Sequence, residues 1–308
     1  MPDTVPHLVQ YQGSKRLLAP QILPYLPRCR RLFEPFSGMA AISLAAAHSQ
    51  HAHAFHLNDV NAPLIGLLHA AVVQPEALIA AYSQLWQAQF TFEIPKPATE
   101  AQGEAHVAHF NAVRRAFNQG QHHAANMLYL LARCVKGAVR YGLDGNFNQS
   151  PDKRRHGTQP TTMAKNIRRI AALLHGKVCF SALDYREVLT MAQPGDVVYM
   201  DPPYQGVSWG VKQGEKGHGK CTHNPRYLAG LDRCAFIAAL ETLNSRGIAY
   251  CVSYDGLCGD TTYGTALPAE LGCTKILLNA GLSSQATLLG KRQNTYEALY
   301  VSRMCRMY

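Results

Sequence analysis

The sequence predicts an α/β fold with a doubly wound parallel sheet and a mainly helical insertion. Short apolar runs that end at turn residues occur at both ends of the chain. The first run leads through a glycine into an alanine-rich helical stretch, and no strand pattern stands out between residues 62 and 175. We therefore expect residues 1–61 and 176–308 to form one domain, with residues 62–175 as its insertion.

The first half of the sheet is predicted from two strands. Residues 32–36 form an apolar run that stops at Ser37 and Gly38, and residues 39–48 have a helical pattern. A strand, a glycine turn and a helix are the opening unit of a doubly wound fold. Residues 54–57 indicate a second strand, which ends at Asn58 and Asp59.

The predicted insertion alternates helices with polar loops. Residues 62–90 and 104–139 have helical patterns, and a loop with two prolines separates them at residues 91–103. Residues 140–162 are polar and rich in turn residues, and residues 163–175 indicate a basic helix.

Strand patterns resume in the second half. Residues 178–183 lead to Asp184, and residues 196–200 run directly into the sequence Asp201-Pro202-Pro203-Tyr204. A glycine-rich basic loop is predicted at 205–226, helices at 185–192 and 230–245, and further strands at 248–253, 275–278 and 296–301.

Composition indicates a folded protein with a polyanionic partner. The chain has 308 residues, is 47% apolar, and carries a formal net charge of +10. Nucleic acid is the commonest partner of such a basic surplus. The nine cysteines contain no Cys-x-x-Cys pair, which is typical of a reduced cytoplasmic protein. Neither a signal peptide nor a membrane span is predicted, and the oligomeric state is not specified by the sequence.

The sequence from Asp201 to Tyr204 suggests a site for an aromatic amine. Its acidic residue follows a buried strand, so it should lie at the carboxyl edge of the sheet, where such folds bind ligands. Pro202 and Pro203 carry no N–H, which leaves carbonyl oxygens as hydrogen-bond acceptors. These oxygens and the Asp201 carboxylate can accept both hydrogens of an exocyclic NH2, and Tyr204 offers a ring on which a base can stack.

The turn after the first strand suggests a nucleoside cofactor. Gly38 allows a ligand to approach the backbone, and Asp59 follows it at the distance of about 20 residues at which an acidic side chain binds ribose hydroxyls. A helix N-cap is the structural alternative for Asp59. Asp184 stands in an equivalent position after the third strand and is a candidate to face the adenine of the cofactor.

Five segments occur along the chain in this order: residues 11–15 with Leu18, 34–38, 58–61, 201–204, and Ser283-Ser284 followed by Lys291-Arg292 and 297–299. In these segments and their order the sequence resembles the adenine-N6 DNA methyltransferase family that includes the bacterial DNA adenine methylase and its phage relatives. The resemblance implies a Rossmann-like methyltransferase sheet, S-adenosyl-L-methionine as cofactor and transfer to a flipped-out adenine of double-stranded DNA.

The resemblance also implies residue roles. Catalysis falls to Asp201, Pro202, Pro203 and Tyr204, and cofactor binding to Tyr11, Gly13, Lys15, Glu34, Pro35, Phe36, Ser37, Gly38, Asp59, Asp184 and Asp201. The second glycine of the family's cofactor loop is replaced by Ala40, whose methyl group is tolerated if the backbone there is helical, as residues 39–48 predict. The replacement bears on cofactor affinity more than on function.

The insertion is implied to contact DNA. Its candidate residues mix cations, amides and an aromatic ring, types that hold phosphates or read base edges: Arg140, Tyr141, Asn146, Asn148, Lys153, Arg154 and Arg155. Lys212, Lys216 and Lys220 are further candidates near the extruded base.

Several alternatives stay open on the sequence. A cytosine-N4 enzyme usually has Ser in place of Asp201, and a protein-glutamine enzyme usually has Asn there. An RNA adenine methyltransferase is harder to exclude. A DNA-binding protein on an inactive methyltransferase scaffold is disfavoured because Lys15, Asp59, Asp201 and Tyr204 are all present, and only Ala40 favours it. A metal site at His48, His51, His53 and His56 is not favoured, because no carboxylate or cysteine joins them at ligand spacing.

Overall fold

The structure is a computed structural model that describes residues 4–93, 104–142, 144–203, 231–258, 261–282 and 294–306. The helices are α1 (Ala19–Ile22), α2 (Ala41–His48), α3 (Ala62–Val73), α4 (Pro75–Thr91), α5 (Ala105–Asn118), α6 (Ala124–Arg133), α7 (Pro160–Leu174), α8 (Tyr185–Met191) and α9 (Arg233–Ser245). The strands are β1 (Cys29–Glu34), β2 (Ala52–Asn58), β3 (Val178–Ser181), β4 (Val197–Met200), β5 (Ala249–Cys258), β6 (Thr261–Tyr263), β7 (Thr274–Leu282) and β8 (Asn294–Val301).

The strands form one sheet whose order is β3-β2-β1-β4-β5-β8-β7, and the short β6 pairs with β5. Strands β1 to β5 are parallel, whereas β8 runs antiparallel between β5 and β7. The strand order reverses between β1 and β4, where Leu32 pairs with Val197. Open α/β sheets bind ligands at the carboxyl end of such a switch point. The predicted Rossmann-like sheet is confirmed, and β1 and β4 flank its expected site.

Alternation along the strands divides the core into two clusters. Leu32, Val197 and Cys251 face one cluster, whereas their neighbours in sequence face the other. This pattern follows from the two-residue period of a strand, and both faces are apolar because helices cover both sides of the sheet. The first cluster includes residues of α2, α3 and α7, and the second includes residues of α8 and α9.

The predicted helical stretches are broken where the backbone loses a donor or needs a turn. The stretch at 62–90 is two helices, because Pro75 begins α4 and cannot continue the hydrogen bonding of α3. The stretch at 104–139 divides into α5, α6 and a 3-10 turn at Val135–Gly137. Helix α2 begins at Ala41, two residues later than predicted.

Helices α4, α5 and α6 pack against one another and against α3 and α7. Helix α3 also contacts β3, and α7 contacts α2, so the first and last helices of the predicted insertion pack against elements outside it. The boundaries at 61 and 176 stay a prediction. In the described ranges no single helix is long and apolar enough to cross a membrane, and the one pair that passes together, α3 with α4, is bent by 117°.

Candidate active site

Asp201 lies at the carboxyl end of β4, directly after four buried residues. Its side chain is 21% exposed, and its Oδ2 atom lies 2.8 Å from the Lys15 ammonium nitrogen. Pro202 is buried and Pro203 is exposed, whereas Tyr204 lies outside the described residues. The predicted catalytic carboxylate is therefore accessible at the switch point of the sheet.

Lys15 binds two carboxylates at once. Its Nζ lies 3.2 Å from Oε2 of Glu297 on β8 and donates a hydrogen bond to the carbonyl oxygen of Gly13 at 3.3 Å. The pKa of Asp201 is raised to about 6: burial is the largest cause, Lys15 lowers the pKa, and the negative charge of Glu297 raises it. Glu297 is a residue of this site that the sequence prediction did not include among its site residues. Its place in the C-terminal motif was the signal that could have found it.

The turn between β1 and α2 adopts left-handed backbone twice. Gly38 has φ of +48°, and a Cβ there would meet the Tyr11 ring at 3.3 Å, so the ring and the turn require glycine. Ala40 has φ of 56° and ψ of 39°. The expectation of a helical backbone at Ala40 is therefore wrong, because this residue forms part of the turn before α2.

Asp59 closes the same turn from β2. Its Oδ2 accepts a hydrogen bond from the Gly38 N–H at 3.0 Å, and its Oδ1 accepts one from the Asn61 N–H at 3.0 Å. Burial raises the pKa of Asp59, and these two backbone donors lower it. These two hydrogen bonds thus fix the carboxylate beside Gly38, and a carboxylate that binds the ribose of a nucleoside has to be fixed in this way. Ribose binding by Asp59 stays a prediction.

Asn58 joins the ends of three strands. Its Nδ2 donates to the carbonyl oxygens of Pro35 and Leu183, both at 3.0 Å. Its Oδ1 accepts from the Leu183 N–H at 2.9 Å and from the Ser181 hydroxyl at 2.7 Å. A buried amide with all these partners fixes the loops after β1 and β3 relative to each other.

Two residues of the predicted cofactor set have structural partners. Glu34 is 3% exposed, and its Oε2 accepts hydrogen bonds from the Ser43 N–H at 3.1 Å and hydroxyl at 2.5 Å. Burial raises the pKa of Glu34 to about 8. Asp184 caps α8 through the Arg186 N–H and pairs with the Arg186 guanidinium. The Glu34 side chain thus anchors α2, and the contact of Asp184 with the cofactor adenine stays a prediction.

The remaining cofactor candidates lie around these residues. Phe36 is half-buried, and its ring centroid lies 5.1 Å from that of Tyr185 on α8. Tyr11 packs on Gly38, and the Gln12 N–H donates to the Gly137 carbonyl oxygen at 3.2 Å. The structure therefore brings the N-terminal segment, the β1–α2 turn and the end of β4 together at one edge of the sheet.

Most of the predicted DNA-contacting residues lie at the surface. Arg140, Asn148, Lys153, Arg154 and Arg155 are exposed, and Asn146 is half-exposed with its amide donating to Asp144. Arg155 also pairs with Asp152 at 3.3 Å. Lys212, Lys216 and Lys220, together with Ser283, Ser284, Lys291 and Arg292, lie outside the described residues.

Tyr141 differs from the rest of that set. It is 7% exposed, its ring packs against Phe147, and its hydroxyl donates to Oδ1 of Asn61 at 3.2 Å. This placement corrects the prediction for Tyr141, because a ring buried between two segments of the chain is not available to DNA.

A model of a known protein family matches most of the chain. The family model described as D12 class N6 adenine-specific DNA methyltransferase matches residues 11–268. The matched range includes Lys15, the β1–α2 turn, Asp59 and Asp201. The chain belongs to this family. As a member of the D12 class it has a fold associated with methyl transfer, a chemistry for which S-adenosylmethionine is the general donor.

Individual relatives of this D12 class protein are similar over about two thirds of the chain. The retron Ec67 DNA adenine methylase of Escherichia coli is 30% identical over 204 residues, which cover 65% of this chain and 64% of that protein. The DNA N-6-adenine-methyltransferase of Escherichia phage P1 is 30% identical over 204 residues, covering 64% of this chain and 24% of that protein. The DNA adenine methylase of Serratia marcescens is 26% identical over 203 residues, with 65% and 67% coverage. The matches thus span less than two thirds of the first two relatives.

Two unpaired polar atoms test whether a nucleoside cofactor fits this D12 class site. Within the described residues, the Ser37 hydroxyl and the Nδ2 of Asn61 are buried and have no hydrogen-bond partner. Ser37 precedes Gly38, and Asn61 donates its N–H to Asp59. Buried polar groups are normally hydrogen-bonded, so two of them beside one turn fit a polar ligand. The donor set around Gly38 and Asp59 therefore fits S-adenosylmethionine.

No group of three His, Cys, Asp or Glu side chains in the described part of the chain could hold a metal ion. The Nε2 atom of His56 forms a hydrogen bond with the Ser181 hydroxyl oxygen at 2.8 Å, and the His56 ring stacks on Phe33. This histidine is thus part of the packing between β1, β2 and β3.

Proposed function

We propose that the chain transfers a methyl group from S-adenosylmethionine to N6 of an adenine flipped out of double-stranded DNA. The observation that carries the proposal is the position of Asp201 and its two prolines at the end of β4, beside the glycine turn that follows the paired strand β1. Family membership and the names of the relatives support the reaction. An intact Lys15, Asp59 and Asp201 set argues against an inactive scaffold.

Asp201 and a proline carbonyl orient the amine. The lone pair of an aromatic amine is delocalised into its ring, so the amine is a weak nucleophile until acceptors draw its hydrogens out of the ring plane. Lys15 binds Oδ2 of Asp201, which leaves Oδ1 to accept one of these hydrogens. Bound S-adenosylmethionine supplies a methyl group on a positively charged sulfur. Holding the amine in line with that methyl supplies much of the rate enhancement.

Asp201 can also take the proton that the amine loses. Burial raises its pKa to about 6, which makes it a stronger base than an exposed carboxylate while it stays ionised near neutral pH. Lys15, which Glu297 also binds, keeps the carboxylate in place during the transfer.

The cofactor contacts come from the carboxyl ends of β1, which pairs with β4, and of β2, which pairs with β1. We assign the ribose hydroxyls to Asp59, and the remaining polar contacts to Ser37, Asn61 and the backbone at Gly38. Tyr11 packs on Gly38, the Gly13 carbonyl oxygen binds Lys15, the Pro35 carbonyl oxygen binds Asn58, and Phe36 packs on Tyr185, so these four residues lie around the same edge of the sheet. Asp184 is retained as a candidate for the adenine ring of the cofactor.

The DNA contacts come from the segment that we propose as the recognition domain, residues 62–175. Arg140 and Asn148 lie on one exposed turn, and Lys153, Arg154 and Arg155 lie on the next. A paired adenine cannot enter the site, so it must leave the helix at a cost of a few kcal/mol. Contacts between these cations and DNA phosphates offset that cost.

Long-read sequencing of DNA from cells that express the chain tests the proposal. We expect N6-methyladenine within a short fixed motif for the wild type and its loss in Asp201→Ala. Glu241→Ala is the matched control, because Glu241 is an exposed carboxylate on α9. Methyl groups on cytosine, or marks that persist in Asp201→Ala, would contradict the assignment.

A further inference from the structure

A continuous series of hydrogen bonds joins the predicted DNA-contacting turn to the predicted cofactor turn. The turn at residues 140–148 is closed by the Asn148 N–H, which donates to the Arg140 carbonyl oxygen at 3.0 Å, and by a bridge between Tyr141 and Phe147. Arg140 and Asn148 face solvent, whereas Tyr141 and Phe147 are buried beneath them. The turn thus has a surface for DNA and a buried side that contacts the body of the protein.

The buried side of the turn is held by hydrogen bonds to two different parts of the protein. Asn118 on α5 accepts from the Phe147 N–H at 2.8 Å and donates to the Phe147 carbonyl oxygen at 3.1 Å. On the other strand of the turn, the Tyr141 hydroxyl donates to Oδ1 of Asn61 at 3.2 Å. The first contact fixes the turn to the helices of the insertion, and the second reaches the loop after β2.

Asn61 continues the series to the cofactor turn. Its N–H donates to Oδ1 of Asp59, whose Oδ2 accepts from the Gly38 N–H, both at 3.0 Å. Tyr141, Asn61, Asp59 and Gly38 are therefore connected through three hydrogen bonds in a region where Tyr141 and Asn61 are both buried. A change in the position of Tyr141 would move the partner of the carboxylate that we assign to the ribose.

We propose that Tyr141 is a positioning residue that couples DNA binding at the 140–148 turn to cofactor binding at the β1–α2 turn. This inference rests on the proposed function, because it takes the turn as a DNA contact and Asp59 as a cofactor contact. DNA that holds Arg140 and Asn148 fixes the turn, and the Tyr141 hydroxyl then fixes Asn61 and Asp59 in the arrangement that accepts the ribose. Such coupling is reciprocal, so the cofactor tightens DNA binding by the same factor.

The size of the effect is bounded by one neutral hydrogen bond. A bond of this kind changes an equilibrium constant by about tenfold at most. We therefore expect DNA to tighten cofactor binding by about fivefold in the wild type, within the usual range of allosteric coupling. Without the hydroxyl, the ratio of the two affinities should approach one.

Calorimetry with S-adenosylhomocysteine, which cannot transfer a methyl group, measures this ratio directly. S-adenosylhomocysteine is titrated into the free protein and into the protein saturated with DNA. The DNA is a short duplex that contains the motif found by sequencing, or sheared plasmid DNA of the expression host. Tyr141→Phe keeps the ring that packs on Phe147 and removes only the hydroxyl. Asn61→Ala removes the same bond from the other side.

Tyr82→Phe is the matched control. Tyr82 is also fully buried, and its hydroxyl donates to the carbonyl oxygen of Thr158, but it is not part of the series. We expect Tyr141→Phe to lose the DNA dependence of the affinity and Tyr82→Phe to retain it, with similar unfolding temperatures for both. An equal ratio in the wild type and in Tyr141→Phe, or a wild-type ratio of one, would overturn the inference. If DNA tightens cofactor binding by the wild type but the wild type methylates no adenine, the proposed function alone is overturned.

Discussion

The ammonium nitrogen of Lys15 lies 2.8 Å from Oδ2 of Asp201, although the two residues come from segments that are far apart in sequence. Lys15 is buried with 5% exposure, and Glu297 binds it from β8 at 3.2 Å. The site therefore has one ammonium group between two carboxylates. Burial raises the pKa of Asp201, Lys15 lowers it, and Glu297 raises it.

Methyl transfer should require ionised Asp201. Because burial raises the pKa of this carboxyl to about 6, we expect the single-turnover rate to rise as the pH increases through about 6. Lys15 lowers that pKa, so Lys15→Met should shift the rise to higher pH and weaken the reaction at neutral pH. The rate is measured by transfer of a labelled methyl group to DNA over a pH series. Lys177→Met, at an exposed lysine, is the control; a profile that Lys15→Met leaves unchanged would refute the prediction.

Glu34 should make the protein less stable as the pH rises. The pKa of this carboxyl is about 8 in the folded chain and near its ordinary value of 4.5 in the unfolded chain. The folded state thus binds the proton more tightly, and this contribution is complete below pH 4.5 and lost as the pH rises through 8. Glu34→Gln keeps an oxygen for the Ser43 donors and removes the titration.

Thermal unfolding over that pH range measures the effect of Glu34. We expect Glu34→Gln to unfold at higher temperature than the wild type at neutral pH, by at least about 2 °C, which corresponds to about 1 kcal/mol in a protein of this size. The two proteins should converge at low pH. Glu241→Gln, an exposed control, should follow the wild type. Parallel curves for Glu34→Gln and the wild type would show that Glu34 does not titrate as proposed.

Ala40 should tolerate glycine but not valine. Left-handed backbone costs an L-residue about 1–2 kcal/mol. Glycine removes that cost. However, the loss of the buried methyl group destabilises the folded protein by about 0.8 kcal/mol, and the greater entropy of the unfolded chain destabilises it by about 0.4–1 kcal/mol. These contributions nearly cancel, so Ala40→Gly should change the free energy of unfolding by less than about 1 kcal/mol. Valine adds overpacking at a fully buried position, and Ala40→Val should destabilise the fold by about 2 kcal/mol or more.

Denaturant unfolding with a helical control distinguishes backbone strain from packing at Ala40. Ala46 is equally buried but lies within α2, where glycine costs about 1 kcal/mol relative to alanine, and the lost methyl adds to that cost. Ala46→Gly should therefore be clearly less stable than Ala40→Gly. Equal losses at the two positions would mean that Ala40 carries no strain.

DNA binding should weaken steeply with salt through the exposed cations at 153–155. Each phosphate contact contributes about 0.9 to the slope of log affinity against log salt concentration. Replacing Lys153, Arg154 and Arg155 with alanine should lower the slope by about two to three, with Arg155 contributing least because it pairs with Asp152. Fluorescence anisotropy of a labelled duplex at several salt concentrations measures the slope. Lys177→Ala should leave it unchanged, and an unchanged slope in the triple variant would exclude this segment from the interface.

The local patterns of the sequence predicted seven of the eight strands that the structure describes, and β6 was not among them. The run at 196–200 is apolar at every position but the first, as expected for a strand covered on both faces, and β4 is buried throughout. The position of Asp201 at the sheet edge follows from that strand alone. Helix starts were less predictable, because alanine at position 40 has high helix propensity and yet lies in a left-handed turn.

The sequence by itself determined the parallel strands β1 to β5, the order of the motifs and the residue types of the candidate site, since these depend on short-range patterns of apolar, glycine and proline residues. It did not determine that β8 runs antiparallel between β5 and β7. Only the tertiary structure decided that Glu297 binds Lys15, that Glu34 is enclosed by Ser43 and that Tyr141 contacts Asn61 instead of solvent. The physical reason is that burial and ion pairing depend on which distant segments meet. A basic or aromatic residue in a polar stretch looks the same in sequence whether it faces DNA or the interior.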